Sequence, residues 1–174
     1  MRNQNSIQRN ALEAFHAAST DDAARVLLPI CASAQWARAL VEHRPYADTA
    51  ALADASDEVF AQLAEAELEA ALAGHPRIGE RMNGDDAAAQ LSRSEQSAMR
   101  SADEQVAAQI LQGNQDYEQR FDRVFLIRAA GRAPHEILGE LRRRIDNDDE
   151  TERAEVREQL RQITRLRLEG MFAG

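Results

Sequence analysis

The sequence predicts an all-α protein, and three observations support that fold class. Alanine, leucine, arginine and glutamate dominate the 174 residues, and aromatic residues make up only 5% of them. Few segments alternate apolar and polar residues with the period of two that is typical of a half-buried strand. Apolar residues recur instead at spacings of three and four, which is the pattern of a helix face. We therefore expect one domain spanning residues 1–174, a bundle of about eight helices.

The first half of the chain carries five predicted helices. Residues 10–18 and 21–28 form two short helices, and a third helix ends before Pro45, because a proline disfavours helical geometry in the residue before it. Three side chains of this third helix should face the core: Trp36, Leu40 and Val41. The alanine-rich stretch 48–74 predicts a shorter helix followed by a longer one, which is stopped by Gly74.

The second half begins with a long helix over about residues 92–121, whose apolar or small residues are spaced by three and four. "VFLIRAAG", at 124–131, is too short and isolated to make a sheet, so we expect a buried extended or helical segment. Pro134 opens another helix. The acidic stretch 146–150 separates that helix from the last one, which covers roughly residues 150–172.

Charge and composition exclude several partners. A formal net charge of −9 argues against binding to a phosphate backbone. The arginines of "LRRRID", at 141–146, are followed at once by acidic residues, which indicates a solvated helix face. No apolar run reaches the 18 residues of a membrane span, and the N-terminal segment lacks the apolar stretch of a secretory signal. Cys31 is alone, so no internal disulfide can form, and we expect a cytoplasmic protein.

The absence of lysine excludes further classes of chemistry. All 21 basic residues are arginine, so no lysine amine can form a Schiff base with a substrate or with pyridoxal phosphate. The phosphate-binding loop GxxxxGK[ST] is excluded for the same reason. "PHEIL" begins like the zinc motif HExxH, but no second histidine follows, and His135 is better interpreted as part of a first helical turn. We expect neither a cofactor nor a metal.

The last predicted helix places one arginine on its apolar face. The apolar stripe of this helix consists of Val156, Leu160, Ile163 and Met171. At about 100° per residue, Arg167 falls in the middle of that stripe and Arg165 points nearly the opposite way. A buried guanidinium needs a partner, because an unpaired buried charge is strongly destabilising. That partner could be a carboxylate on another helix or a bound ligand. Alternatively, the aliphatic part of the side chain could be buried while the guanidinium reaches solvent at the edge of the apolar face.

The motif "SRSEQ", residues 92–96, supports two interpretations. Ser92 followed by Glu95 is a capping box, in which the carboxylate bonds to the first amide of a helix. Ser94, Glu95 and Gln96 also bring three polar groups to one helix start, which suits an anionic or oxygen-rich ligand.

"GHPRIGE", residues 74–80, places a histidine on a stiff corner at a helix end. Pro76 biases His75 away from the helical region of backbone space. A histidine at a helix end is commonly a capping or surface residue, yet imidazole is also the best proton carrier near neutral pH. His16 and His43 lie in ordinary helical contexts and are assigned no function.

These motifs occur in a familiar order. "HPRIGE", "SRSEQ", "NQDYEQRF", "FLIRAAGR" and "ITRLRLEGMF" together resemble the family of decarboxylases that act on 2-oxo-4-hydroxy-4-carboxy-5-ureidoimidazoline (OHCU). Trp36 and "RPY" at 44–46 also match the early helices of that family. The resemblance implies a small all-helical homodimer that needs no cofactor or metal. It also implies conversion of OHCU, a late product of urate oxidation, into (S)-allantoin.

The resemblance assigns roles to individual residues. It implies three catalytic residues: His75, Glu95 and Arg167. It implies that substrate contacts come from Pro76, Ser92, Arg93, Ser94, Gln96 and the backbone of Ile127, Arg128, Ala129, Ala130 and Gly131. The chain departs from the family at residues 121–125, where "FDRVF" replaces the common Phe-Gly-Phe-Pro-Phe and thereby lacks the glycine and proline before Ile127.

Two other functions are compatible with the residues. A helical interaction module would bind a partner protein through its acidic surface; it would expose an apolar groove in place of an enclosed polar pocket, and Arg167 would be paired internally. A hydrolase acting on hydroxyisourate or allantoin would usually recruit more histidines, a serine dyad or a metal, and the sequence shows none of these clearly.

Overall fold

The computed structural model describes residues 11–79 and 104–172, and within these ranges all regular secondary structure is helical. The predicted all-α fold class is therefore confirmed. The eight helices of the described ranges are α1 (residues 11–17), α2 (Thr20–Leu27), α3 (Ala34–Glu42), α4 (Thr49–Gln62), α5 (Glu65–Ala73), α6 (Glu104–Phe121), α7 (Pro134–Arg144) and α8 (Asp149–Phe172). None of them combines the length and the apolarity that crossing a membrane requires.

Side-chain caps explain where several helices begin. Ser19, Ser33 and Asp48 each accept a hydrogen bond from a backbone amide in the first turn of α2, α3 and α4. Asp148 does the same for α8, and its Oδ1 lies 2.7 Å from the amide nitrogen of Thr151. These caps satisfy amides that have no partner inside the helix.

The alanine-rich region 49–73 differs from the prediction in the order of its helices. The longer helix, α4 with 14 residues, comes first, and the shorter helix, α5 with nine residues, follows it. The break lies at Leu63, whose backbone is extended with ψ of 131° and whose side chain is buried. Neither glycine nor proline marks this break in the sequence. The end of α5 at Ala73, next to Gly74, agrees with the prediction.

The chain divides into two compact units, which we describe separately. The first unit contains the described residues up to Ala71 together with those from Arg161 onward, and the second contains those from Leu72 to Leu160. In the first unit Trp36 is fully buried and its indole N–H donates to the hydroxyl of Ser56 at 2.9 Å. Leu40 and Val41 are buried too, so the predicted core face of α3 is confirmed.

The "RPY" segment ties α1 to α3 in the first unit. Arg44 donates to the carbonyl oxygens of Phe15 and Ala18, which lie at the end of α1. The hydroxyl of Tyr46 donates to the carbonyl of Leu40 at 2.7 Å. The backbone amide of Tyr46 donates to Nε2 of His16 at 3.0 Å. His16 therefore has a structural role in these contacts.

The second unit is built around α6 and α7. Its core consists of Ile78, Ile110, Tyr117, Phe121, Phe125, Ile127, Ala129, Ile137, Leu138 and Leu141. Gly113 allows α6 to approach α7 closely, because a Cβ at this position would lie 2.5 Å from Cδ2 of Leu141. Pro134 opens α7, as predicted, and the carboxylate of Glu136 accepts the amide of Ala133 at 2.6 Å.

Candidate active site

His75 lies in a turn directly after α5 and is buried, with 7% of its surface exposed. Its amide donates to the carbonyl of Leu72 at 2.9 Å, which continues the helix end by one tight turn. Pro76, which follows it, is half-buried. The burial argues against the interpretation of His75 as an ordinary surface residue.

Two side chains of α6 hold this turn in place. Asn114, which is buried, donates from Nδ2 to the carbonyl of Ile78 at 2.9 Å. Arg77 forms a two-point ion pair with Glu118, in which Nη2 and Oε2 are 2.8 Å apart. Asn114 and Glu118 are four residues apart and thus share one face of the helix. The backbone that carries His75 is therefore anchored to a long helix.

The predicted substrate-contacting residues 127–131 belong to a second segment, which begins where α6 ends at Phe121. Asp122 has a φ of 52°, in the left-handed region that favours glycine, and it stands at the glycine position of the family pattern. Aspartate is one of the few residues that tolerate this conformation. The chain therefore adopts a left-handed conformation at residue 122 although the residue is not a glycine. Residues 124–129 are mostly buried, as predicted, and of the two predicted conformations the helical one is absent.

The non-helical segment after this turn is held by a buried ion pair. Arg144 donates from Nη1 to the carbonyl of Leu126 at 2.7 Å, and its Nη2 lies 2.5 Å from Oε1 of Glu152. Both charged side chains are fully buried. Tyr117 and Asn147 donate two further hydrogen bonds to the same carboxylate. Burial and the bond to Glu152 raise the pKa of Tyr117, so its hydroxyl remains a donor.

Arg144 corrects the interpretation of "LRRRID" as a solvated helix face. Arg142 and Arg143 are exposed, but Arg144 is not. It lies three residues after Leu141, on the buried face of α7. The helical-face argument that singled out Arg167 could therefore have found Arg144 as well.

Gln159 of α8 is a second anchor, which was not identified from the sequence. Its Oε1 accepts the amide of Arg128 at 2.9 Å, and the side chain is 8% exposed. Gln159 lies three residues after Val156 and four before Ile163, so the helical period of the apolar stripe is the signal that could have found it.

The core of the second unit joins the two candidate segments. Ile78, from the His75 turn, belongs to the same cluster of buried side chains as Phe125, Ile127 and Ala129. The structure thus packs one residue of the His75 turn and three residues of the second segment into the same hydrophobic core. At the end of the second segment Gly131 has a φ of 79°, and the amide of Arg132 donates to the carbonyl of Ala129.

Arg167 belongs to the first unit and is buried, with 6% of its surface exposed. Its Nη1 donates to the main-chain carbonyl of Ile30 at 3.0 Å. The prediction that this arginine faces inward is confirmed. Arg165 points elsewhere, as expected, and its Nη1 lies 2.7 Å from Oδ2 of Asp57.

The environment of Arg167 includes a thiol that stays protonated. Burial raises the pKa of Cys31 to about 11, although the nearby guanidinium of Arg167 lowers it. Glu67 lies in the same surroundings, and a hydrogen bond from Ser33 lowers the pKa of its carboxyl. At neutral pH this part of the first unit therefore holds a neutral thiol and a carboxylate.

The remaining candidates lie outside the described residues. These are Ser92, Arg93, Ser94, Glu95 and Gln96, together with the predicted start of the long helix. Within residues 11–79 and 104–172, no three histidine, cysteine, aspartate or glutamate side chains are arranged to hold a metal ion.

Comparisons with known proteins place this geometry in a family. A search among curated proteins gave no significant match. The chain is similar in fold to a crystal structure of OHCU decarboxylase in the presence of (S)-allantoin, with a TM-score of 0.73, 21% identity, and coverage of 86% of this chain and 98% of that one. It is also similar to a crystal structure of (S)-allantoin synthase, with a TM-score of 0.68, 17% identity, and coverage of 92% of this chain and 53% of that one. The sequence model described as OHCU decarboxylase matches residues 16–169, and the chain therefore belongs to the OHCU decarboxylase family.

Proposed function

We propose that this protein decarboxylates OHCU to (S)-allantoin without a cofactor, as one step of urate breakdown. The observation that carries the proposal is the family match over residues 16–169, a range that contains every candidate site residue. The buried positions of His75 and Arg167 support it, because both side chains are withdrawn from bulk water. The structures of OHCU decarboxylase and (S)-allantoin synthase with a similar fold add support.

The reaction makes two demands on the protein. Loss of carbon dioxide leaves an electron pair that the imidazoline ring must delocalise, and a proton must then arrive on one face to give a single enantiomer. Because the sequence contains no lysine, the electron pair cannot be taken up by an imine to the enzyme. Hydrogen bonds and charge must therefore activate the substrate.

We assign the proton transfer to His75. Imidazole can gain or lose a proton near neutral pH, and positioned acid–base help is typically worth about 10²–10⁴-fold in rate. The turn that carries His75 is fixed by the bond from Asn114 to the carbonyl of Ile78 and by the burial of Ile78. A fixed backbone limits the directions from which the imidazole can deliver a proton.

We assign Arg167 to a carbonyl or ureido oxygen of the substrate. A tight grip on the departing carboxylate would stabilise the ground state, because that charge is lost in the reaction. An oxygen on which negative charge grows gains more from a guanidinium in the transition state. The buried position of Arg167 strengthens such a contact, since water screens it less.

We assign Glu95 to a hydroxyl or N–H group of the substrate, which would orient the ring. The alternative is a purely structural capping box with Ser92. Glu95→Gln separates the two roles: a catalytic carboxylate predicts a large loss of activity with little change in melting temperature. A large loss of stability with activity intact would favour the cap.

The proposed function is tested with freshly prepared OHCU. The purified protein should accelerate its disappearance, and the optical rotation of the product should show an excess of (S)-allantoin. Racemic allantoin formed at the spontaneous rate would contradict the proposal.

We also propose a homodimer in the cytoplasm, which the family resemblance supports. Light scattering after size exclusion should then give about twice the chain mass of 19.4 kDa. A mass equal to one chain would reject the dimer without affecting the proposed reaction.

A further inference from the structure

The two peptide groups that flank Ile127 are both held by side chains of other helices. The carbonyl of Leu126 accepts Nη1 of Arg144 at 2.7 Å. The amide of Arg128 donates to Oε1 of Gln159 at 2.9 Å. Both peptide bonds are trans, since among the described residues only Arg44–Pro45 is cis.

Peptide planarity turns these two contacts into a constraint on Ile127 itself. In a trans peptide the C=O and the N–H point in opposite directions. The N–H of Ile127 therefore points away from the guanidinium of Arg144, and its C=O points away from the amide of Gln159. The two anchors thus fix the directions of one donor and one acceptor on the same residue.

The Arg144 anchor is held by several contacts of its own. Arg144 is held by Glu152, and Tyr117 and Asn147 donate to that carboxylate. The guanidinium also lies 4.7 Å from the ring centre of Phe125. Such a pair is weak evidence for stability, because desolvation offsets much of the attraction, but these contacts set the orientation of the guanidinium.

We propose that Arg144 and Gln159 are positioning residues, which aim the N–H and C=O of Ile127 at an amide or ureide group of the substrate. A ureide offers both hydrogen-bond acceptors and donors, so it can pair with the N–H and with the C=O of Ile127. This inference rests on the proposed function, and on the family resemblance, which implies that residues 127–131 contact the substrate through their backbone. Neither anchor touches the substrate.

Gln159 is the residue to test, because removing Arg144 would leave Glu152 buried without its charge partner. Gln159→Met keeps the length of the side chain and removes the acceptor. Gln159→Glu keeps an acceptor at the same distance and is the rescue variant. Gly113→Ala is the matched control, since its added methyl strains the contact with Leu141 in the same unit and leaves both anchoring hydrogen bonds intact.

Kinetics of OHCU decarboxylation and backbone hydrogen exchange are measured for all four proteins. For Gln159→Met we expect KM to rise about tenfold or more while kcat changes less than about threefold, because binding is lost in the ground and transition states alike. Exchange of the Arg128 amide should accelerate in the same variant. Gln159→Glu should recover most of the parent KM, and Gly113→Ala should keep the parent KM. If Gln159→Met does not fold, Gln159→Asn is used instead. Its side chain is one methylene shorter, so the acceptor no longer reaches the Arg128 amide, and the same rise in KM is expected.

Three results would overturn the inference. Unchanged exchange at Arg128 in Gln159→Met would show that the anchor does not hold the segment. If the parent protein is active and Gln159→Met has the same KM as Gly113→Ala, the hydrogen bond from Gln159 does not contribute to substrate binding. A parent protein that fails to convert OHCU would remove the proposed function, and this inference with it, before any variant is compared.

Discussion

The turn at residues 75–78 and the segment at residues 121–131 are two non-helical stretches of the same unit, and they are fixed in different ways. The turn is stiffened locally by the end of α5 and by Pro76, and it is tied to α6 by a neutral hydrogen bond and a half-exposed ion pair. The segment depends on a fully buried ion pair and on a glutamine from α8.

This difference matters for how each stretch can be altered. A stretch whose own residues restrict its backbone should lose little stability when a surface contact is removed. A stretch that is held by distant side chains should lose much more stability when one of those side chains is removed. Three substitutions test this contrast, and we order them by expected effect.

Arg144→Met should have the largest effect, because it leaves the carboxylate of Glu152 buried without a charge partner. We expect a loss of about 3–5 kcal/mol in the free energy of unfolding, measured with urea. Arg143→Met is the matched control: this neighbouring arginine is 48% exposed and pairs with Glu140 and Glu155. Its loss should stay below about 1 kcal/mol. Equal losses for the two variants would contradict the structural role of the buried pair.

Asp122→Gly should stabilise the protein modestly. Glycine adopts the left-handed conformation of residue 122 without strain, although it adds entropy to the unfolded chain, so we expect a net gain of about 0.5–1 kcal/mol. The side chain of Asp122 is exposed, and few contacts are lost. Asp122→Ala serves as the control and should destabilise the protein, because alanine lacks the local hydrogen bonding that helps aspartate in this region. A stabilising alanine would show that the turn is not left-handed in solution.

Arg77→Ala should have the smallest effect. The ion pair with Glu118 is partly exposed, so its removal should cost less than about 1 kcal/mol, and the difference should shrink further at high salt. Urea unfolding at low and high ionic strength measures this. A loss as large as that of Arg144→Met would mean that the His75 turn also depends on a tertiary ion pair, and the contrast between the two stretches would disappear.

The sequence was sufficient for features whose cause is local. The helix start at Pro134 follows from the preference of proline for a first helical turn, and the acidic stretch 146–150 marks the boundary between α7 and α8; the predicted start of α8 differs from the observed one by one residue. The inward face of α8, including Arg167, follows from the helical period alone.

The sequence was insufficient where a distant partner decides the outcome. The break between α4 and α5 at Leu63 carries no glycine or proline, and the leucine side chain is buried there. Arg144 is buried because Glu152 and the carbonyl of Leu126 meet it in space. The chain lacks the glycine of the family pattern before Ile127, and Asp122, at the same position, adopts a left-handed conformation that the sequence does not indicate.

The most direct test of the account compares the parent protein with His75→Ala in the conversion of OHCU. His75 lies in a turn that is anchored elsewhere, so the variant should fold with the circular dichroism and melting temperature of the parent. We predict that its decarboxylation rate falls by about 10²–10⁴-fold and that the allantoin formed loses its excess of the (S) enantiomer. A folded His75→Ala protein that converts OHCU at nearly the parent rate would contradict the central role of this imidazole.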